Sequence, residues 1–151
     1  MTDVKRVGEI RSTREHPHLG VLLARARRVV DGAILEALHG AGFTDLRDAH
    51  EAVFAFLPGT GTTLTELARR ARMTKQSMGE LVRDLEALGY VERVPDPNDR
   101  RAKIITFTGK GRRADEVGVR AVLDTEAGWR RRYGAQRVGE VRALLEELTG
   151  R

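Results

Sequence analysis

From Leu19 the apolar residues fall at 19, 22, 23, 26, 29, 30, 33, 34 and 37, a stripe of helical period that predicts a first helix to about Leu38, stopped by Gly40 and Gly42. Arg25, Arg27, Arg28, Asp31 and Glu36 lie on its other face. A second helix is expected from Thr44 or Asp45, both good caps, to Leu57, where Pro58-Gly59-Thr60-Gly61 breaks it. Thr63 with Glu66 three residues on fits a capping box, and Leu64, Leu67, Ala68 and Ala71 form the inner face of a short third helix. After the turn Ala71-Arg72-Met73, Thr74 caps a fourth helix whose buried stripe is Met78, Leu81, Val82, Leu85 and Leu88. Gly89 ends it, and Tyr90 packs back over the end. Residues 90–94 and 102–108, rich in β-branched and aromatic side chains, predict a two-stranded hairpin. Helices over about 110–132 and 136–148 follow, the latter with Val138, Val141, Leu144, Leu145 and Leu148 inward. Residues 1–18 read as a loosely held arm.

The third and fourth helices, short, amphipathic, capped and joined by a tight turn, are the pattern of a helix-turn-helix. The fold class is therefore mainly α with a small β-hairpin. At about 100° per residue, Gln76, Gly79, Glu80 and Arg83 share the face opposite the apolar stripe, flanked by Lys75 and Ser77. Such a face suits the major groove: Gln76 matches adenine, Arg83 guanine or a phosphate, and Glu80 the cytosine amino group. Gly79 leaves room for close approach, and Thr74 and Lys75 at the helix start suit a phosphate. The same residues also fit the wet side of any surface helix.

Between the strands stands PDPNDRRAK, residues 95–103. Pro95 and Pro97 restrict the backbone, and Asn98 and Asp99 favour a turn. A stiff tip bearing Arg100, Arg101 and Lys103, with Asp99 placed to orient Arg101, suits the narrow minor groove. Taken alone, the Asp99–Arg101 pair is equally a surface ion pair of little energetic weight.

The chain of 151 residues is long enough for one domain with its own core. It has no cysteine, which excludes disulfides and thiolate chemistry. Its 27 basic and 22 acidic side chains leave +5, a modest bias toward polyanions. The polar start lacks a signal peptide's apolar core, and no apolar run is long enough to span a membrane, so a cytoplasmic protein is expected. Glu15-His16-Pro17-His18 holds zinc-compatible side chains, but in the arm and without helical spacing to His39 or His50, so no metal is assigned. GTGTT at 59–63 and TGKG at 108–111 lack phosphate-loop spacing. No nucleophile with its base and no carboxylate pair is apparent, so no catalytic residue, enzyme activity or cofactor is expected.

Residues 64–114 resemble the winged helix-turn-helix of the MarR (multiple antibiotic resistance regulator) family. The family's wing signature D-x-R-x5-L-T is met by Asp99, Arg101, Phe107 and Thr108, with Phe in place of Leu; GYVERVPDP and TGKGR are similar too. Two positions depart from the pattern. Arg72 stands where glycine is frequent and would have to accept a left-handed backbone. Glu80 stands where a basic or small residue is common. The resemblance implies one domain over 1–151, divided into arm and dimerisation helix (1–43), reading head (44–109) and C-terminal dimerisation helices (110–151). It further implies a homodimeric regulator, a repressor, binding an inverted repeat in double-stranded DNA. The terminal helices carry more apolar stripe than one small head can cover, which points the same way.

Many relatives release DNA when a small aromatic or phenolic anion settles between dimer helices and head. Candidates for such a site are His50, Arg25 and Trp129. Their alternatives are a hydrogen-bonded packing histidine, a solvated charge and a dimer-core anchor. The competing function is a winged-helix module that binds protein instead of DNA.

Overall fold

The computed structural model describes residues 17–97, 99 and 102–150; Asn98, Arg100, Arg101 and the arm that includes Glu15 and His16 lie outside the described residues. In chain order the elements are α1 (Leu19–Gly40), a 3-10 turn (Asp48–His50), α2 (Glu51–Phe56), α3 (Leu64–Arg70), α4 (Lys75–Ala87), β1 (Val91–Pro95), β2 (Lys103–Phe107), α5 (Gly109–Tyr133) and α6 (Ala135–Leu148). β1 and β2 are antiparallel, with Val91 opposite Phe107 and Pro95 opposite Lys103. Thr62 adds a single bridge to Ile105. The fold is a mainly helical winged helix-turn-helix, as expected.

Three helices end in the same way. Phe43 N–H bonds Leu38 C=O at 2.9 Å, Met73 N–H bonds Ala68 C=O at 2.9 Å, and Tyr90 N–H bonds Leu85 C=O at 2.9 Å. The residue before each closing donor is left-handed: Gly42 (φ 93°), Arg72 (φ 53°) and Gly89 (φ 78°). Each is thus a Schellman cap, and its following apolar residue turns into the core. Arg72 does carry the left-handed backbone foreseen for it.

The second helix differs from expectation. Neither Thr44 nor Asp45 caps it; helical structure starts at the 3-10 turn after Arg47, and α2 is only six residues long. Asp45 is engaged elsewhere: its carboxylate accepts from the Tyr90 hydroxyl and from Lys110 Nζ at 3.2 Å. Phe43 and Leu46 meanwhile pack into the core, so the segment folds as a turn. Leu57 is extended (φ −80°, ψ 111°) because Pro58 disfavours a helical predecessor.

Thr63 Oγ1 accepts from Glu66 N–H at 3.3 Å, while the Glu66 carboxylate binds Arg69 and Arg70. Only one half of the anticipated capping box is therefore used for capping. Thr74 Oγ1 accepts from Ser77 N–H at 3.1 Å, and Thr108 Oγ1 accepts from Gly111 N–H at 3.0 Å. The core gathers Val53, Leu67, Met78, Val82, Leu85 and Tyr90, all without exposed surface, together with Val91, Ile105 and Phe107 of the hairpin. Phe54 stacks on Phe107 with centroids 5.3 Å apart. A Cβ on Gly111 would lie 1.9 Å from the Tyr90 carbonyl oxygen, so only glycine lets α5 start this close to β1. α1 lies along α5, and α6 packs on α5 with Arg142 bonded to Glu126 at 2.6 Å.

Candidate nucleic-acid interface and adjoining cavity

α3, the Arg72 turn and the Thr74 cap hold α4 with Lys75, Gln76, Ser77, Glu80 and Arg83 exposed and Met78, Val82 and Leu85 buried. Gln76 Nε2 lies 3.5 Å from Glu80 Oε1, a contact loose enough to be exchanged for a base edge. Among the described residues, Lys75, Arg83 and Lys103 have no ion-pair partner, whereas Arg69 and Arg70 are held by Glu66. Those two guanidinium groups bring the Glu66 carboxyl down to about 2. Thr74 is less free than expected, because its hydroxyl accepts from Ser77 N–H and donates to Ser77 Oγ at 2.9 Å.

Gly79 does not belong to the exposed face. It is buried beside α3, where an added Cβ would sit 3.5 Å from Leu64 Cδ2. The helical projection put it at the edge of the polar face, and the packing of α3 claims that edge.

Beyond the strands, Asp96 N–H bonds Ala102 C=O at 3.0 Å and Ala102 N–H bonds Asp99 C=O at 2.9 Å, narrowing the hairpin toward its tip. Asp99 and Lys103 are exposed on this hairpin. Arg100 and Arg101 lie outside the described residues.

A cavity of about 270 Å³ opens between α1, the segment 46–55 and α5. Ile34, Leu38, Phe54, Val119 and Val122 form its apolar walls; Asp31, Arg47, Asp48, His50, Glu51 and Asp115 supply its polar groups. Of the residues considered from sequence, His50 reaches this cavity, while Arg25 and Trp129 do not line it. Arg25 is exposed on α1 and Trp129 half-buried on α5. His50 is 1% exposed and fully engaged. Its Nδ1 accepts from Arg47 N–H at 3.2 Å, which leaves the proton on Nε2 to be donated to Asp84 Oδ2 at 2.9 Å.

Asp84 belongs to α4, so the cavity wall is bonded directly to the helix that carries Gln76 and Arg83. Arg47 reinforces the link with an ion pair to the same Asp84 oxygen. The His50 hydrogen bond and then the Arg47 charge hold the Asp84 carboxyl below the usual aspartate range. Sequence reasoning missed Arg47, Asp84 and Asp115. His50 and Asp84 are 34 positions apart, and no local spacing announces their contact.

A family model described as MarR family matches residues 41–102, from the Ala41 cap of α1 through the hairpin tip. The HTH-type transcriptional repressor Rv2887 of Mycobacterium tuberculosis is 30% identical over 130 residues, covering 86% of this chain and 92% of that protein. The chain belongs to the MarR family. The crystal structure of the MarR family protein Rv2887 in complex with p-aminosalicylic acid aligns with a TM-score of 0.62 and 29% identity, over 87% of this chain and 98% of that one. CouR from Rhodococcus jostii RHA1, solved bound to p-coumaroyl-CoA, aligns with a TM-score of 0.64 and 28% identity, over 87% and 92%. The transcriptional activatory protein BadR of Rhodopseudomonas palustris is 37% identical over 57 residues, a match spanning 38% of this chain and 33% of BadR. This MarR-family chain thus shares its fold and most of its length with transcription regulators. Among its described residues no helix is long and apolar enough to cross a membrane. No group of three or more potential ligands among them is placed to hold a metal ion.

Proposed function

We propose that the protein is a cytoplasmic, homodimeric transcriptional repressor that binds an inverted repeat in double-stranded DNA. In each copy α4 enters the major groove with Lys75, Gln76, Ser77, Glu80 and Arg83, and the hairpin carries Arg101 into the adjoining minor groove. The observation that carries this reading is the exposed face of α4, where among the described residues Lys75 and Arg83 have no ion-pair partner and Gln76 is only loosely held by Glu80, anchored beside a narrowing hairpin. The protein-binding alternative calls for large apolar groups on that face. Among the described residues, none of the exposed large apolar side chains lies between Phe56 and Val119.

Dimerisation is supported by Leu19, Leu22, Leu23 and Val29 of α1, Leu123 of α5, and Val141, Leu144 and Leu148 of α6, each at least 40% exposed in the single chain. No residue of α6 is buried. A stripe of this extent needs a second copy to cover it. Two-fold symmetry then places the two α4 helices on half-sites about 10 base pairs apart. The cavity, bonded to α4 through Arg47 and His50, is the effector site of this reading. An occupant drawing those groups away from Asp84 would change how α4 is held. Relatives solved with p-aminosalicylic acid and p-coumaroyl-CoA support a small aromatic or phenolic ligand.

The test is a mobility shift with the DNA upstream of the protein's own gene. Wild type should give a discrete complex, and Arg101→Ala should weaken it by about tenfold or more without altering the dimer. Equal binding by the two proteins would refute the placement of the hairpin.

A further inference from the structure

The charges around the cavity carry a statement about its ligand. Asp31 on α1, Asp48 and Glu51 before and within α2, and Asp115 on α5 bring four carboxylates to its lining. Two cations stand close by, and both are spent. Arg47 is paired with Asp84. Arg27 is shared by Asp31 and Glu51, at 2.5 Å from each.

Asp48 and Asp115 are left with no cation among the described residues. Asp115 is half-buried beside the apolar wall made by Val119 and Val122, and the charge that bears on it is that of another acid, Glu116. Burial first, and then Glu116, raise its carboxyl above the ordinary aspartate range; burial likewise raises Glu51. An anionic ligand entering here would add its charge beside the unpaired Asp115 in a partly buried site, with the unpaired, exposed Asp48 at the rim. A cation would relieve both.

The geometry points to a small organic cation, a protonated amine on an aromatic or apolar body, as the ligand of this cavity, with Asp115 as its counter-ion. The inference rests on the reading of the cavity as an effector site and reverses the sign of charge that the family resemblance suggests. The ring would lie against Ile34, Phe54 and Val122, and the ammonium group would face Asp115 with Asp48 at the rim. Neutral hydroxylated analogues would keep the apolar contact and lose the ion pair.

Calorimetry of the full chain at pH 7 with phenethylamine, phenylacetate and phenethyl alcohol tests this directly. Phenethylamine should bind about tenfold tighter than the alcohol, and phenylacetate more weakly than either. Asp115→Asn, isosteric and checked by its melting curve, should bring the amine to the level of the alcohol. Asp48→Asn, at an exposed position, should weaken the amine severalfold and provides a second variant. Phenylacetate binding as tightly as the amine, amine affinity unchanged in Asp115→Asn, or no binding by any of the three would overturn the assignment. Mobility shifts on the same preparations separate this from the regulator reading. DNA binding that persists while the amine prediction fails removes only the ligand class, and loss of both removes the wider reading.

Discussion

At Tyr90 a phenol with no exposed surface donates to Asp45, while Lys110 Nζ sits 4.0 Å from the ring centroid and bonds the same carboxylate. Burial, then that carboxylate, pushes the Tyr90 hydroxyl above its ordinary pKa; the tyrosine and then the lysine hold Asp45 below its own. Asp115 is the opposite case, a carboxyl raised by burial with no compensating ion pair among the described residues. The two signs give different pH dependences. A depressed acid such as Asp45 or Asp84 adds stability above its unfolded pKa and loses it as pH falls through the folded value. A raised acid such as Asp115 destabilises above its folded pKa and costs nothing below the unfolded value of 3.8. Asp115→Asn is therefore expected to raise stability at pH 7 by only a few tenths of a kcal/mol, because partial exposure screens the charge, a gain that vanishes below about pH 3.8. Melting curves at the two pH values check it. A gain independent of pH would mean that charge at this position is not the cause. None of this was legible in the sequence: Asp45 and Tyr90 are 45 positions apart, so Asp45 read as a helix cap when its carboxylate was committed to the hydroxyl.

The elements themselves were largely legible, because apolar period and capping residues are local signals. The Thr63 and Thr74 caps read from the sequence sit where helices begin, and Thr108, not singled out there, caps the helix expected from about residue 110. Arg72 was flagged through the family resemblance, in which glycine is frequent at this turn, and in the fold Gly42 and Gly89 occupy the equivalent place in two other helices. A non-glycine residue in this conformation carries a cost of about 1–2 kcal/mol. Arg72→Gly is expected to raise unfolding free energy by up to about 1 kcal/mol, the flexibility of glycine in the unfolded chain offsetting part of the relief. Urea unfolding would measure it, and a loss of stability would show that the arginine side chain contributes more than its backbone costs. One element and one residue escaped the sequence reading. The helix expected from residue 44 was pre-empted by the inward turn of Phe43 and Leu46, and Gly79 left the polar face because α3 leans over it. Both outcomes depend on packing between segments, which a single-helix projection does not contain.

For the whole molecule, the excess of apolar stripe was visible in the sequence, and the folded chain places much of it on α1, α5 and α6 with no cover among the described residues. If a second copy covers it, Leu144→Glu, at a site 52% exposed in the single chain, should shift the protein from dimer to monomer at micromolar concentration while leaving the circular dichroism of the fold intact. Sedimentation velocity reads the change; an unaltered dimer would place the interface elsewhere. Because a monomer offers only one half-site contact, this variant should also lose cooperative operator binding.

The central claim, that α4 and the hairpin grip duplex DNA, is tested most directly by the salt dependence of operator affinity. With about 6–10 phosphates contacted per dimer, affinity should fall by roughly 10³–10⁵ between 50 and 200 mM salt, and Arg101→Ala in both copies should make the log–log slope shallower by about 2. A flat response, or a slope that the substitution leaves unchanged, would contradict the account.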